Sequence, residues 1–216
     1  MTANKTKRAA SQPNPKSGNS LYLWPFIGVN LAIFLWLMLG GGLDASWGRV
    51  TAKNGFVAAL IPILAIVLTN LVSDQGKARL VFWRWRDPLP GCRVFTELMS
   101  TDPRIDVPAL KRKLGRLPRE PQAQNSLWYR IYREHRADEK VVASHRFYLV
   151  TRDMAAISAA FVVLLPAGLM IGLIHWTTPI GYAAFLSVQY FLTASAARNY
   201  GKRFVLTVLA DESHSA

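Results

Sequence analysis

Three stretches of the chain are free of charge for long enough to cross a bilayer, the last of them long enough to cross it twice, and charged segments separate them. A hydrocarbon core is roughly 30 Å thick, so a crossing helix needs about 20 apolar residues at about 1.5 Å each. Residues 21–43 form one uncharged run and residues 55–73 a second. From 154 to 197 there is no Asp, Glu, Lys or Arg. That length suits two crossings, with His175, Trp176, Thr177, Thr178 and Pro179 breaking the pattern between them. The expected fold class is an all-α membrane protein with four transmembrane helices in two hairpins, at 21–43, 55–73, 154–174 and 180–197. A small helical cytoplasmic domain, 74–153, is inserted between the hairpins.

Within 74–153 the polar pattern changes to short amphipathic helices punctuated by proline and glycine. Asp106 has the position of an N-cap for a helix through Leu114, with Gly115 as its stop. A second helix over about 122–135 places Leu127 and Ile131 on one stripe, with Trp128 and Tyr132 beside them. Asp138 reads as the cap of a third, whose buried side holds Val141, Val142, His145 and Leu149. Neither proline nor glycine follows before residue 154. One long helix is therefore expected to run from the cytoplasmic domain into the membrane.

Charge then sets the expected topology. Of the 26 basic residues, 4 lie in the leader 1–20, 17 in 74–153 and 3 in the tail 198–216, leaving only Arg49 and Lys53 elsewhere. An excess of Lys and Arg marks cytoplasmic loops, so the leader, the middle segment and the tail are expected inside the cell, at the inner membrane. The leader lacks acids and is rich in Ser, Asn and Pro, which reads as a disordered cytoplasmic segment. The first apolar run is longer than a secretory core and has no clear A-x-A cleavage pattern after it.

No Asp, Glu, Lys or Arg falls inside a span, which argues against ion-coupled transport, proton relay and voltage sensing. The polar residues that remain are amides. Asn30 and Gln189 lie at about 13.5 Å and about 12 Å from the inner ends of their spans at the usual helical rise. They are expected to tie the first and fourth spans together, within one subunit or between subunits. Gly168 and Gly172 form a G-x-x-x-G that favours close helix packing, and Pro62 and Pro166 are expected kinks.

The net charge of +13 calls for acidic partners. Directly after the second span, Arg79, Trp83, Arg84, Trp85 and Arg86 interleave bases with indoles, as an interfacial segment does against anionic head groups. Lys111, Arg112, Lys113, Arg116 and Arg119 form a second basic set without interleaved aromatics. That composition favours lipid or another acidic surface over nucleic acid.

The single cysteine, Cys92, excludes an internal disulfide and a cysteine-based zinc site. H-E-x-x-H, phosphate-loop and dinucleotide signatures are absent, and no catalytic residue, metal site or cofactor is assigned. The expected function is non-enzymatic. The cytoplasmic domain senses or docks a partner, including a cytosolic protein, and couples to an oligomeric, membrane-perturbing bundle. A static membrane scaffold or accessory subunit is the first alternative. A membrane-tethered metal-dependent hydrolase using Asp102, Asp106 and Glu120 is the second.

Overall fold

The computed structural model describes residues 18–38, 56, 60, 63, 64, 67, 71–172 and 177–215. The described residues are mostly helical, with no strand among them. In chain order they form α1 (Ser20–Met38), α2 (Asp74–Phe82), a run of short helical turns from Pro90 to Thr101, α3 (Val107–Leu114), α4 (Pro121–His135), α5 (Glu139–Gly172) and α6 (Thr177–His214).

Three of these helices, α1, α5 and α6, are long and apolar enough to cross a membrane. The expected count was four. The missing stretch, 55–73, falls largely outside the described residues, as does its Pro62. Its described positions Phe56, Leu60, Ile63, Leu64 and Val67 are helical and exposed. On α5 and α6, large apolar side chains such as Val163, Met170, Val188 and Leu192 also face outward. An aqueous surface seldom carries such a continuous apolar face.

Helices α5 and α6 pack antiparallel along most of their length, and two cores form on this hairpin. The first lies within the apolar stretches, where Ile27 and Phe34 of α1 meet Phe161, Leu165 and Leu169 of α5 and Leu186 of α6. The second lies beyond them and gathers Val81, Val94, Leu110, Trp128 and Ile131 around Tyr148, Phe204, Val208 and Leu209. The same two helices thus carry both cores without a break. Pro166 falls inside α5 and Pro25 inside α1.

Residues 198–214, read from the sequence as a tail, are the last turns of α6 and form one wall of the second core. Gly201 makes this packing dense. A Cβ there would lie 2.8 Å from the Phe82 ring and 3.0 Å from that of Tyr148, so only glycine lets α2 and α5 approach α6 so closely.

The shorter helices start where local chemistry dictates. Asp106 accepts from the Ala109 amide at 2.9 Å, and α3 stops at Gly115, which has φ +71. Glu120 accepts from the Gln122 and Ala123 amides and so caps α4 ahead of Pro121. Each cap satisfies amides that the first turn leaves without a helical partner.

Candidate functional site

Two polar assemblies stand out on the second core, one at each end. The first surrounds α2. Ser73 accepts from the Gly76 amide and starts the helix, which ends at Trp83 in a left-handed conformation (φ 53). Lys77 is buried and pairs with Asp153 at 3.1 Å, while Arg152 joins Asp153 to Asp74 at 3.2 and 3.0 Å. These pairs hold α2 against α5 at the residue preceding the third apolar stretch. At the other end, the Leu80 and Val81 carbonyls accept from the Tyr190 hydroxyl and the Arg198 guanidinium. The Trp83 indole donates to Tyr190 at 3.1 Å, and Arg198 stacks on the indole face at 3.2 Å from its centre. Helix α2 is therefore laid across the α5–α6 hairpin at the edge of the apolar stretch.

Of the residues expected at this interface, Trp83, Arg84, Trp85 and Arg86 are exposed, Trp85 at 83%. Arg84 faces Glu97 at 3.8 Å, while Arg79 and Arg86 make no ion pair among the described residues. Arg79 and Arg86, with Trp85, line a cavity of about 550 Å³ between α2 and the start of α4. In the second basic set, Lys111, Arg116 and Arg119 line a separate open groove over Phe95 and Met99. Arg112 is exposed on α3, and Lys113 turns away to a carboxylate of α6.

That carboxylate, Glu212, centres the second assembly. It is 3% exposed and receives Lys113 Nζ on one oxygen at 3.1 Å and His135 Nε2 on the other at 2.6 Å. His135 Nδ1 meets Asp138 at 3.0 Å, so the expected cap residue spends its carboxylate on the imidazole. Burial works against a charged ring, but the hydrogen bonds to Glu212 and Asp138 outweigh it and raise its protonation value above 6.5. The result is a charged clasp joining α3, the end of α4 and the end of α6. Sequence reading missed Glu212. The signal was the stripe Phe204, Val205, Val208 and Leu209, which continues α6 past the apolar stretch and brings residue 212 to the core edge.

Between the two assemblies, aromatic rings tie α4 to the hairpin. Trp128 stacks on Tyr132 and meets Phe204 edge-on, while its indole donates to the Val205 carbonyl at 3.2 Å. Tyr132 bonds His145 Nδ1 at 3.0 Å, and the His145 ring stacks on Phe204 at 4.4 Å.

Within the subunit, Asn30 and Gln189 do not meet. Asn30 donates to the Phe26 carbonyl of its own helix at 2.8 Å, and Gln189 donates to Ser158 of α5 at 3.3 Å. The α1–α6 tie is made by Tyr182, whose hydroxyl donates to the Asn30 carbonyl at 2.9 Å. A phenol reaches across where the two amides do not. Gly168 is buried in α5; the surroundings of Gly172 lie outside the described residues.

The carboxylates considered for hydrolysis are engaged one by one. Asp102 is bound by Arg104 at 2.7 Å, which holds its carboxyl below the usual range. Asp106 and Glu120 cap α3 and α4. Among the described residues no group of three His, Cys, Asp or Glu side chains is placed to hold a metal ion.

In comparisons with family models, curated proteins and solved structures, none matches the chain.

Proposed function

We propose that the chain is a non-enzymatic, multi-pass protein of the cell's inner membrane with both termini in the cytoplasm. Its helical cytoplasmic domain docks a partner and passes that event to an oligomeric transmembrane bundle, which perturbs the membrane when triggered. The observation that carries this reading is the continuity of α5 and α6, 34 and 38 residues long, through both cores. A rigid helix transmits displacement along its axis, whereas a flexible linker would absorb it.

The charge distribution supports the orientation, with 24 of 26 basic residues in the leader, the middle segment and the tail. The interfacial placement of α2 supports the membrane level, because its ion pairs sit beside Asp153 and its aromatic end beside Tyr190 and Arg198.

The test is membrane potential in cells expressing the full chain, beside a variant with Gly-Ser-Gly inserted between Thr151 and Arg152. The insertion removes no core residue; it interrupts α5 and shifts Arg152 and Asp153 relative to α2. Depolarisation by the full chain that the insertion abolishes is the expected result. An unchanged potential at confirmed expression returns the weight to a static scaffold, which co-purification with a larger assembly then identifies.

A further inference from the structure

We infer that the cavity between α2 and the start of α4 is a binding site for the phosphoglycerol head group of an anionic phospholipid. The inference rests on the membrane placement proposed above and adds a ligand of defined chemistry to it.

The first argument is position. Helix α4 runs alongside α6 in constant register, with Trp128 bonded to Val205 and His135 to Glu212, each pair 77 residues apart. Carried back along α4, that register sets 122–126 beside 199–203. Those positions lie two to six residues past the end of the apolar stretch, or about 3–9 Å at the helical rise. The head-group layer occupies roughly 5–7 Å on each side of the hydrocarbon core. The other wall, α2, is fixed at the edge of the apolar stretch by Lys77–Asp153 and by Arg198, while its last turn reaches Tyr190 inside that stretch. The cavity therefore spans the layer in which phospholipid phosphates lie.

The second argument is chemistry. Arg79 and Arg86, neither in an ion pair among the described residues, supply planar cationic donors suited to a phosphate. Gln122, Asn125 and Ser126 line the opposite wall and offer amide and hydroxyl groups to the head-group hydroxyls. Trp85, exposed at 83%, lines the cavity and has the amphipathic ring that favours this depth. Asp87 also lines the cavity, and its carboxylate repels a bare phosphate while accepting from a hydroxyl. A head group carrying both a phosphate and free hydroxyls satisfies all of these residues. A choline head group carries the same phosphate but no hydroxyl for Gln122, Asn125 and Ser126 to bond.

The test uses the full chain in neutral detergent micelles. Short-chain phosphatidylglycerol, phosphatidylcholine and phosphatidylethanolamine are titrated separately, as is soluble glycerol phosphate, with binding read by native mass spectrometry. Phosphatidylglycerol is expected to bind at least about tenfold more tightly than phosphatidylcholine. Arg79→Gln with Arg86→Gln should abolish that preference, and Arg79→Lys with Arg86→Lys should keep most of it. Arg136→Gln with Lys140→Gln, exposed and outside the cavity, should leave it unchanged. Arg86→Gln alone, at an exposed position, gives the same readout if the double variant does not fold.

Equal binding of phosphatidylglycerol and phosphatidylcholine overturns the inference, as does equal loss in the outside variant. Phosphatidylethanolamine matching phosphatidylglycerol overturns the anionic assignment, and glycerol phosphate binding as tightly as the lipid overturns the lipid one. Head-group selectivity in micelles reads independently of membrane potential in cells, so either proposal can fail without the other.

Discussion

His135 Nε2 stands 2.6 Å from a carboxylate oxygen of Glu212, 77 residues further along the chain, and Lys113 holds the other oxygen. Three helices of the second core are joined through one buried carboxylate. The contact lies at the end of α6 remote from its apolar stretch, about 22 Å beyond Ala197 at the helical rise. Loosening it would free the far end of the hairpin first.

The clasp makes stability depend on pH in a defined direction. The native ring holds its proton above the ordinary value of 6.5, despite burial, because Glu212 and Asp138 accept from it. The folded state thus binds the proton more tightly than the unfolded chain. The stabilisation is complete below pH 6.5 and declines as pH rises through the elevated native value. Relative to His135→Ala, the native chain should gain about 1.5 kcal/mol at pH 6, typical of hydrogen bonds to charged groups. The difference should shrink by pH 9. Thermal unfolding of both proteins in detergent at pH 6, 7.5 and 9 measures it, and a gap that widens with pH would contradict the assignment.

Gly201 should tolerate no large side chain. Leucine there meets the Phe82 and Tyr148 rings, so Gly201→Leu should cost about 3 kcal/mol or more, at the upper end of overpacking penalties. Helix propensity alone favours leucine over glycine by somewhat less than 1 kcal/mol, so the sign decides between the two effects. A stabilised variant in a thermal scan would show that α2 does not pack on α6 as described.

Trp128 separates apolar filling from hydrogen bonding. Trp128→Phe keeps most of the ring contacts and loses the bond to the Val205 carbonyl, for about 1 kcal/mol. Trp128→Ala also opens a cavity between Tyr132 and Phe204 and should cost about 3–5 kcal/mol. Denaturant titration of the two variants should rank them in that order by a clear margin.

Tyr182→Phe removes the hydroxyl that ties α6 to the Asn30 carbonyl and leaves the ring in place. Interhelical hydrogen bonds between membrane helices average roughly 0.6 kcal/mol, so a small loss is expected. Asn30→Leu should leave that tie intact, because the Tyr182 hydroxyl bonds the backbone carbonyl. Cross-linking yields between cysteines placed on α1 and α6 should fall for Tyr182→Phe and hold for Asn30→Leu.

Much of the helical framework was legible because helix ends are written in neighbouring residues. Asp106 and Gly115 bound α3 through contacts within a turn or two, and the Leu127–Ile131 spacing found the buried side of α4 to within one residue, Trp128 rather than Leu127 being buried with Ile131. The apolar stretches at α1, α5 and α6 follow from the energetic cost of placing charge in hydrocarbon, which composition reveals directly. The run of α5 from the second core into its apolar stretch was equally local, since neither proline nor glycine interrupts it before Pro166.

Partner choice was not legible. Asn30 and Gln189 matched in depth, but depth does not fix the rotation of a helix about its axis. Packing turned each amide to a nearer acceptor and gave the α1–α6 tie to Tyr182. The apolar stripe before Glu212 brought it to the core edge but did not name its partners, which are 77 and 99 residues away and converge only when α3, α4 and α6 share one core. By itself the sequence determined three of the stretches apolar enough for a bilayer and the helices between 107 and 172, since both depend on residues close along the chain. Only the tertiary structure decided which side chains meet across helices, because rotation and register are set by the packing of whole faces.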